Sequence, residues 1–149
     1  MDAKLFLELA SHLSRSMAPN PASYRSATSR AYYAAFNALS EMFSDLGIII
    51  STGPTCHGQI KGLINNTQDQ ELNKVRAKFN QLGSFRRQSD YEMNNIESEK
   101  QTTAQLTVKL ADSIFMEIQK IRADKPRRQA IRKSVREYAP KVGIKIDPL

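Results

Sequence analysis

The chain has 149 residues, with 22 lysines and arginines against 15 acidic residues and a formal net charge of +7. This length predicts one domain that can bury roughly 68–70% of its unfolded surface, so neither a structural metal nor a disulfide is needed for stability. The one cysteine, Cys56, excludes an internal disulfide and predicts a cytoplasmic location. The sequence shows neither a leader pattern nor an apolar run of about 20 residues, so we expect neither secretion nor membrane insertion.

The first half of the chain predicts two helices and a loop. The first helix is expected from about Ala3 to Arg15, with an inward face formed by Leu5, Phe6, Leu9 and Leu13. Asn20 is a suitable N-cap and Pro21 suits a first helical position, so a second helix should run from Pro21 to about Asp45. Residues 47–58 form a loop, in which the isoleucines at 48–50 resemble a strand too short to start a sheet.

The second half predicts two more long helices and two short ones. A short helix is expected at 57–65, a third long helix at 69–93 and a fourth at 98–122. Pro126 ends the fourth helix, a short basic helix covers 127–138, and Pro140 and Pro148 frame a loose terminus. The third helix carries an apolar arc composed of Leu72, Val75, Phe79, Leu82, Met93 and Ile96. The fourth helix carries an apolar stripe composed of Leu106, Leu110, Ile114, Ile118 and Ile121.

These elements predict an all-α fold, an up-and-down antiparallel bundle of four main helices with a basic C-terminal extension. We expect the bundle at residues 1–125 and a basic arm with a short helix at 126–149. Residues 122–149 hold nine lysines and arginines against three acidic residues, a local charge of +6. Such an arm suits nucleic acid or an acidic partner surface, and it is equally compatible with a solvated tail.

A stripe of small residues follows the second helix at three- and four-residue spacing, through Ala27, Ala31, Ala34 or Ala35, and Ala38. Small side chains let another helix approach closely, and the neighbouring tyrosines need partners for their hydroxyls. Two interpretations remain open. One is tight packing within the chain, and the other is a dimer seam formed by Tyr24, Ala31, Tyr32, Tyr33 and Ala35.

Arg86 and Asp90 lie on or near the inward face of the third long helix. At about 100° per residue they are separated by only about 40°, so they can pair as neighbours, and burial of either charge alone would be costly. One interpretation is a buried pair that fixes helix register. The other is an arginine held by Asp90 and directed at a phosphate, with Tyr91 beside it, because a guanidinium presents a planar fork of donors.

The two motifs together, RAYYAAF at 30–36 and RRQSDY at 86–91, resemble those of the prokaryotic HEPN domains, small helical domains named for nucleotide binding in higher eukaryotes and prokaryotes. The turn at 55–58 also resembles a Thr/His/Gly turn often found between these motifs. The resemblance covers about Tyr24 to Ile121 and leaves out the basic arm. It implies a helical bundle that dimerises, with the motif helices meeting at a cleft.

Many HEPN proteins are metal-independent ribonucleases of toxin–antitoxin, CRISPR and phage-defence systems. Their signature is an arginine followed, after four to six residues, by a histidine that moves protons while the arginine stabilises phosphate charge. Counted from Arg86, the three permitted histidine positions hold Tyr91, Glu92 and Met93. None of these is histidine, so the usual Arg/His site is missing from this sequence. A tyrosine of ordinary pKa is a poor general base at neutral pH and does not replace the histidine.

The sequence therefore leaves three hypotheses open. The first is a dimeric HEPN-type module of a defence or toxin–antitoxin system that binds RNA or a nucleotide, or serves in a larger complex. Its phosphate contacts would come from Arg30, Arg86, Arg87, Arg127, Arg128, Arg132 and Lys133. The second is an active metal-independent ribonuclease with Arg86, Tyr91 and Asp90 as catalytic residues. The third is a purely structural helical adaptor.

The expected partners are a second copy of the chain and RNA or a nucleotide. The resemblance adds a nucleotidyltransferase or another defence-system protein, since related toxins pair with such an enzyme. Cys56 and His57 have no companions at zinc-ligand spacing, so we expect no metal and no cofactor.

Overall fold

The computed structural model describes residues 1–17 and 19–148. Their α-helices are α1 (Lys4–Ser14), α2 (Pro21–Asp45), α3 (Cys56–Asn65), α4 (Gln70–Tyr91), α5 (Gln101–Ala123) and α6 (Lys125–Tyr138). Short 3-10 turns lie at Ile96–Glu99 and Ala139–Val142, and two-residue strands at β1 (Ile48–Ile49) and β2 (Lys145–Ile146). The all-α class is confirmed. Among the described residues, no helix combines the length and apolarity needed to cross a membrane.

The start of α2 is confirmed in detail. The side-chain oxygen of Asn20 accepts a hydrogen bond from the backbone N–H of Ser23 at 3.2 Å, which satisfies a donor that the first helical turn leaves free. Pro21 occupies the first helical position, where its missing N–H costs nothing. The helix then continues to Asp45, as the periodicity predicted.

The chain divides into two compact units, one formed by Met1–Asn37 with Lys78–Phe115 and the other by Ala38–Ala77 with Met116–Leu149. We call them unit 1 and unit 2. This division differs from the predicted bundle at 1–125 with an arm at 126–149. The segment after Pro126 belongs to unit 2, because α6 and the residues that follow it bury the side chains of Ile131, Val135, Ala139 and Ile144.

In unit 1, the inward face predicted for α1 is wrong at two of its four residues. Leu5 and Leu9 are exposed, whereas Phe6 and Leu13 are partly buried and Leu13 packs against the buried Tyr24, Ala27 and Ala104. The fully buried side chains of this helix are Leu7, Ala10 and Ser14, so the helix is rotated relative to the predicted face. Hydrophobic periodicity favoured the leucines because it counts apolar area and ignores fit.

Three other apolar side chains are also more exposed than predicted. Met93 and Ile96 lie beyond the last residue of α4, Tyr91, so the helical arc that was predicted to bury them does not reach them. On α5, Leu106 is exposed, while the neighbouring Ala104 and Thr107 are buried.

In unit 2, the C-terminal residues are paired rather than loose. β1 and β2 are antiparallel, with Ile48 opposite Ile146, and the N–H of Asp147 donates to the carbonyl of Gly47 at 2.7 Å. Arg136 adds hydrogen bonds to the carbonyls of Gly47 and Asp147. The isoleucine run therefore does form a strand. Its partner lies about a hundred residues away, beyond the reach of local sequence patterns.

Candidate functional site

Arg86 lies among three tyrosine rings in unit 1. Its guanidinium carbon is 4.9 Å from the ring centre of Tyr32 and 5.8 Å from those of Tyr33 and Tyr91. Tyr32 is buried and stacks on Phe79 at 5.3 Å, so one wall of this cluster is rigid. A cation over aromatic faces is attracted by their negative charge density, which holds the guanidinium in place without using its hydrogen-bond donors.

The carboxylate of Asp90 is close to Arg86 without forming a hydrogen bond to it. The shortest distance, from Nη1 of Arg86 to Oδ2 of Asp90, is 3.8 Å, which exceeds hydrogen-bond length. The same oxygen accepts a hydrogen bond from the hydroxyl of Ser29 at 3.2 Å. The predicted pairing and partial burial are both confirmed, since the two side chains are 15% and 28% exposed.

The Nε of Arg86 is buried and has no hydrogen-bond partner among the described residues. A buried polar group without a partner costs about 1–3 kcal/mol, and more when it is charged. Because Nε itself is shielded from solvent, an anion would have to accept its hydrogen bonds from the terminal Nη atoms of the same guanidinium. Hydrogen bonds between a guanidinium and an anion are among the strong ones, and a low local dielectric strengthens them.

Two further sequence-predicted residues lie at or near the same cluster. Arg30 lies between the rings of Phe6 and Tyr33, with its guanidinium carbon 5.8 and 6.0 Å from their centres. Arg87 follows Arg86 on α4 and is exposed. Tyr33 thus contacts two arginines, and the cluster carries more positive charge than Asp90 neutralises.

Arg25 positions the end of α4, and the sequence analysis missed it. Its guanidinium donates to the backbone carbonyls of residues 88, 89, 92, 93 and 95 at 3.0–3.3 Å, and to Glu99 at 3.3 Å. The carbonyl of Ser89 belongs to the last turn of α4, whose carbonyls lack intrahelical partners, and the positive charge opposes the negative end of the helix dipole. The bonds to residues 92, 93 and 95 hold the segment that follows the helix. Local sequence carries no signal for such a contact, because its partners lie more than sixty residues away.

Four of the five residues predicted to form a dimer seam are not accessible to a partner in this structure. Tyr24, Ala31, Tyr32 and Ala35 are all buried within a single chain. The hydroxyl of Tyr24 donates to the carbonyl of Ser16 at 2.8 Å, which gives it the partner that a buried tyrosine needs. The small-residue stripe thus serves close packing within the chain, and of the five only Tyr33 is partly exposed.

Arg127, predicted to contact nucleic acid, has its donors occupied in unit 2. It forms a bidentate pair with Asp69 at 2.7 and 2.8 Å and a third hydrogen bond to Glu117 at 2.6 Å. The hydrogen bonds from Arg127, assisted by the backbone N–H groups of Leu72 and Glu71, hold the pKa of Asp69 below its ordinary value against the opposing effect of burial. The bond to Asp69 likewise raises the pKa of Arg127. Arg127 therefore stabilises unit 2 and has no open fork for phosphate.

The other predicted basic residues of α6 remain at the surface to different degrees. Arg128 is partly exposed, and its Nη1 donates to the backbone carbonyl of Arg122 at 2.6 Å. Arg132 and Lys133 are exposed on the same helix. The two histidines lie on other helices. His12 is exposed on α1, and His57 is partly buried on α3. Within residues 1–17 and 19–148, no group of three or more His, Cys, Asp or Glu side chains could hold a metal ion.

Comparison with protein families, with curated proteins and with solved structures finds no match. The likeness to HEPN domains therefore rests on the two motifs. What the geometry adds is chemical: a partly buried guanidinium with open donors, a second arginine beside Tyr33, and the ring of Tyr91, which is 73% exposed.

Proposed function

We propose that the protein binds the phosphate groups of RNA or of a nucleotide through Arg86. The observation that carries this proposal is the open guanidinium of Arg86, whose nearest carboxylate oxygen is 3.8 Å away and whose buried Nε has no partner among the described residues. We call the group formed by Ser29, Tyr33, Arg86, Asp90 and Tyr91 the Arg86 site.

The comparison with Arg127 supports this choice of residue. Both arginines lie beside carboxylates and are similarly shielded, with side chains that are 15% and 19% exposed. Arg127 meets Asp69 at hydrogen-bond distance with both arms of its fork, as a structural ion pair does. Arg86 stands beyond hydrogen-bond distance from Asp90. Of these two arginines, Arg86 is therefore the one that can offer a bidentate contact to phosphate without first breaking a hydrogen-bonded ion pair.

The surroundings of Arg86 favour a nucleotide over a free anion. Tyr91 extends its exposed ring beside the guanidinium, where a base can stack while Arg86 contacts the adjacent phosphate. Arg30, whose guanidinium carbon is 6.0 Å from the ring centre of Tyr33, adds a second positive charge for a neighbouring phosphate. Stacking tolerates every base, so we expect weak preference among sequences and strong dependence on salt.

The wider role that we propose follows the motif resemblance. The protein is a HEPN-type dimeric module of a prokaryotic defence or toxin–antitoxin system, and it works in the cytoplasm without the usual Arg/His nuclease site. Its helices form an up-and-down antiparallel bundle. Its partners are a second copy of the chain and a nucleotidyltransferase or another protein of the same system.

Binding of an end-labelled oligouridylate, followed by fluorescence anisotropy over a range of salt concentrations, tests the phosphate-binding proposal. Arg86→Lys keeps the charge and removes the fork, so we expect affinity to fall by about tenfold or more. Arg76→Lys is the matched control, because Arg76 is an exposed arginine on the same helix. Equal affinity of the two variants would refute a specific role for Arg86.

A second candidate function is metal-independent RNA cleavage that uses Arg86 and Tyr91. The observation in its favour is the exposed position of Tyr91, 5.8 Å from the guanidinium. Incubation of the same oligonucleotide with a chelator separates the two functions. Cleavage that is lost in Tyr91→Phe while binding persists would establish the ribonuclease, and binding without cleavage favours the non-catalytic module.

A further inference from the structure

Ser29 and Asp90 form a contact that bears directly on the state of Arg86. The hydroxyl of Ser29 donates to Oδ2 of Asp90 at 3.2 Å, and this is also the carboxylate oxygen nearest to Arg86, at 3.8 Å. Ser29 is buried on α2, one helical turn before Tyr33 and one turn after Arg25. The residue therefore occupies a fixed position between the arginine that caps α4 and the tyrosine that contacts Arg86.

We infer that Ser29 is a positioning residue that keeps the fork of Arg86 open for phosphate by holding the carboxylate of Asp90 away from it. This inference rests on the proposed function and names what regulates the affinity of the same site. It also accounts for the observed distance. An arginine and a carboxylate four residues apart on one helix are neighbours that can close to about 2.7–2.9 Å, and these two stand 3.8 Å apart.

Removal of the Ser29 hydroxyl leaves Oδ2 of Asp90 without that donor in a partly buried setting. The carboxylate then gains most by turning to Arg86, and a movement of roughly 1 Å brings the pair to hydrogen-bond distance. The fork is then occupied by an internal anion, and phosphate must displace it. The open state persists in the normal chain because Ser29 supplies the competing hydrogen bond.

Arg25 provides the rigidity that this arrangement requires. Its bonds to the carbonyls of Gln88 and Ser89 hold the last turn of α4 against α2. Asp90 therefore cannot approach Arg86 by unwinding that turn and is limited to rotation of its own side chain. The orientation of the Asp90 carboxylate can control the availability of Arg86 only if the backbone of α4 is fixed, because a mobile backbone would let the carboxylate contact both Ser29 and Arg86 in turn.

The test compares four variants in binding of the end-labelled oligouridylate and of uridine monophosphate. Ser29→Ala is expected to weaken binding by about tenfold, the worth of one hydrogen bond to a charged group. Ser29→Ala combined with Asp90→Asn should restore binding to at least the normal level, because a neutral amide cannot form the internal ion pair. Asp90→Asn alone should bind more tightly than the normal protein, because it removes a negative charge 3.8 Å from Arg86, and this gain should be smaller than the gain that the same substitution gives in Ser29→Ala.

Ser89→Ala is the matched control, since it removes a buried hydroxyl that has no partner among the described residues, one position before Asp90. It should bind normally. The NMR resonances of the Arg86 guanidinium, recorded without ligand, should show a new hydrogen bond in Ser29→Ala and none in the double variant. A Ser29 hydroxyl that only stabilised the fold would give Asp90→Asn the same effect in both backgrounds, whereas the inference predicts a larger gain of affinity in Ser29→Ala.

The outcomes separate the two proposals. If the normal protein binds neither probe, the proposed function fails and this inference fails with it. If the normal protein binds and Ser29→Ala binds equally well, only the inference is overturned. If Ser29→Ala is weakened and the double variant is weakened as much, the serine acts through the fold and not through Asp90, which also overturns it. Thermal melting of each variant confirms that it is folded.

Discussion

Replacement of Arg127 by methionine tests whether this arginine is part of the folded core of unit 2. The substitution keeps much of the side-chain volume and removes the guanidinium that both Asp69 and Glu117 bind, which leaves Glu117 with Lys120 at 3.8 Å and Asp69 without an ion-pair partner among the described residues. Removal of one partner from a buried ion pair costs about 3–5 kcal/mol. The three side chains are 11–19% exposed, so the lower end, about 3 kcal/mol, applies.

The expected change in melting temperature follows from the size of the chain. An unfolding entropy of about 2.1 cal/mol/K per residue gives about 0.3 kcal/mol/K for 149 residues. A loss of about 3 kcal/mol therefore lowers Tm by about 10 °C near neutral pH. Differential scanning calorimetry measures this directly, with circular dichroism as a check that the helices remain.

Arg122→Met is the matched control. Arg122 also has two acidic partners, Asp45 at 3.0 Å and Glu41 at 3.8 Å, but its side chain is 43% exposed. Exposed pairs contribute about 0.2–1 kcal/mol, so Tm should fall by no more than about 3 °C. Equal losses in the two variants would refute the argument that burial and bidentate geometry distinguish Arg127.

The pH dependence of Tm, compared between the normal protein and Arg127→Met, gives a second check. Because its pKa is lowered in the folded state, Asp69 stabilises the fold above its ordinary value of 3.8 and loses that contribution as the pH falls further. The variant lacks the part of this contribution that comes from Arg127, the largest cause of the lowered pKa, and keeps the part that comes from the backbone N–H groups of Leu72 and Glu71. The difference in Tm between the normal protein and Arg127→Met should therefore shrink below about pH 4.

Two other substitutions test the positions of particular segments. Arg25→Met removes the hydrogen bonds to the carbonyls of residues 92, 93 and 95 at the end of α4, so we expect stability to fall by about 2–3 kcal/mol. Amide hydrogen exchange should increase most over residues 92–99, and unchanged exchange there would contradict the capping role. Ile131→Ala removes a buried side chain from α6 and should lower stability by about 2–5 kcal/mol in a denaturant titration, whereas a free basic arm would show no change.

The sequence predicted the helices well because their signals are local. Asn20 and Pro21 start a helix through contacts within one turn, and a period of about 3.6 residues runs through α2 and α5. The same local geometry placed Arg86 and Asp90 together, since residues four apart on a helix are neighbours whatever the rest of the fold does.

Properties that depend on distant partners could not be predicted in this way. Ser29 and Arg25 gain their roles from α4, sixty or more residues away along the chain. Periodicity could not show that Arg127 is already paired with Asp69, because a basic stretch looks the same whether its charges are free or paired. The inward face of α1 was wrong at two of its four residues for a related reason, since it depends on which neighbour fits most closely.

The all-α class, the approximate extents of the main helices and the adjacency of Arg86 and Asp90 follow from local sequence, because they depend on hydrogen bonds and spacing within a few residues. Whether Arg86 or Arg127 is already hydrogen-bonded to a carboxylate depends on the fold. Arg127 meets two carboxylates from distant segments, while Ser29 donates to the carboxylate beside Arg86. Charge counts are the same before and after folding, but the availability of a charge depends on the groups that folding brings within hydrogen-bond distance.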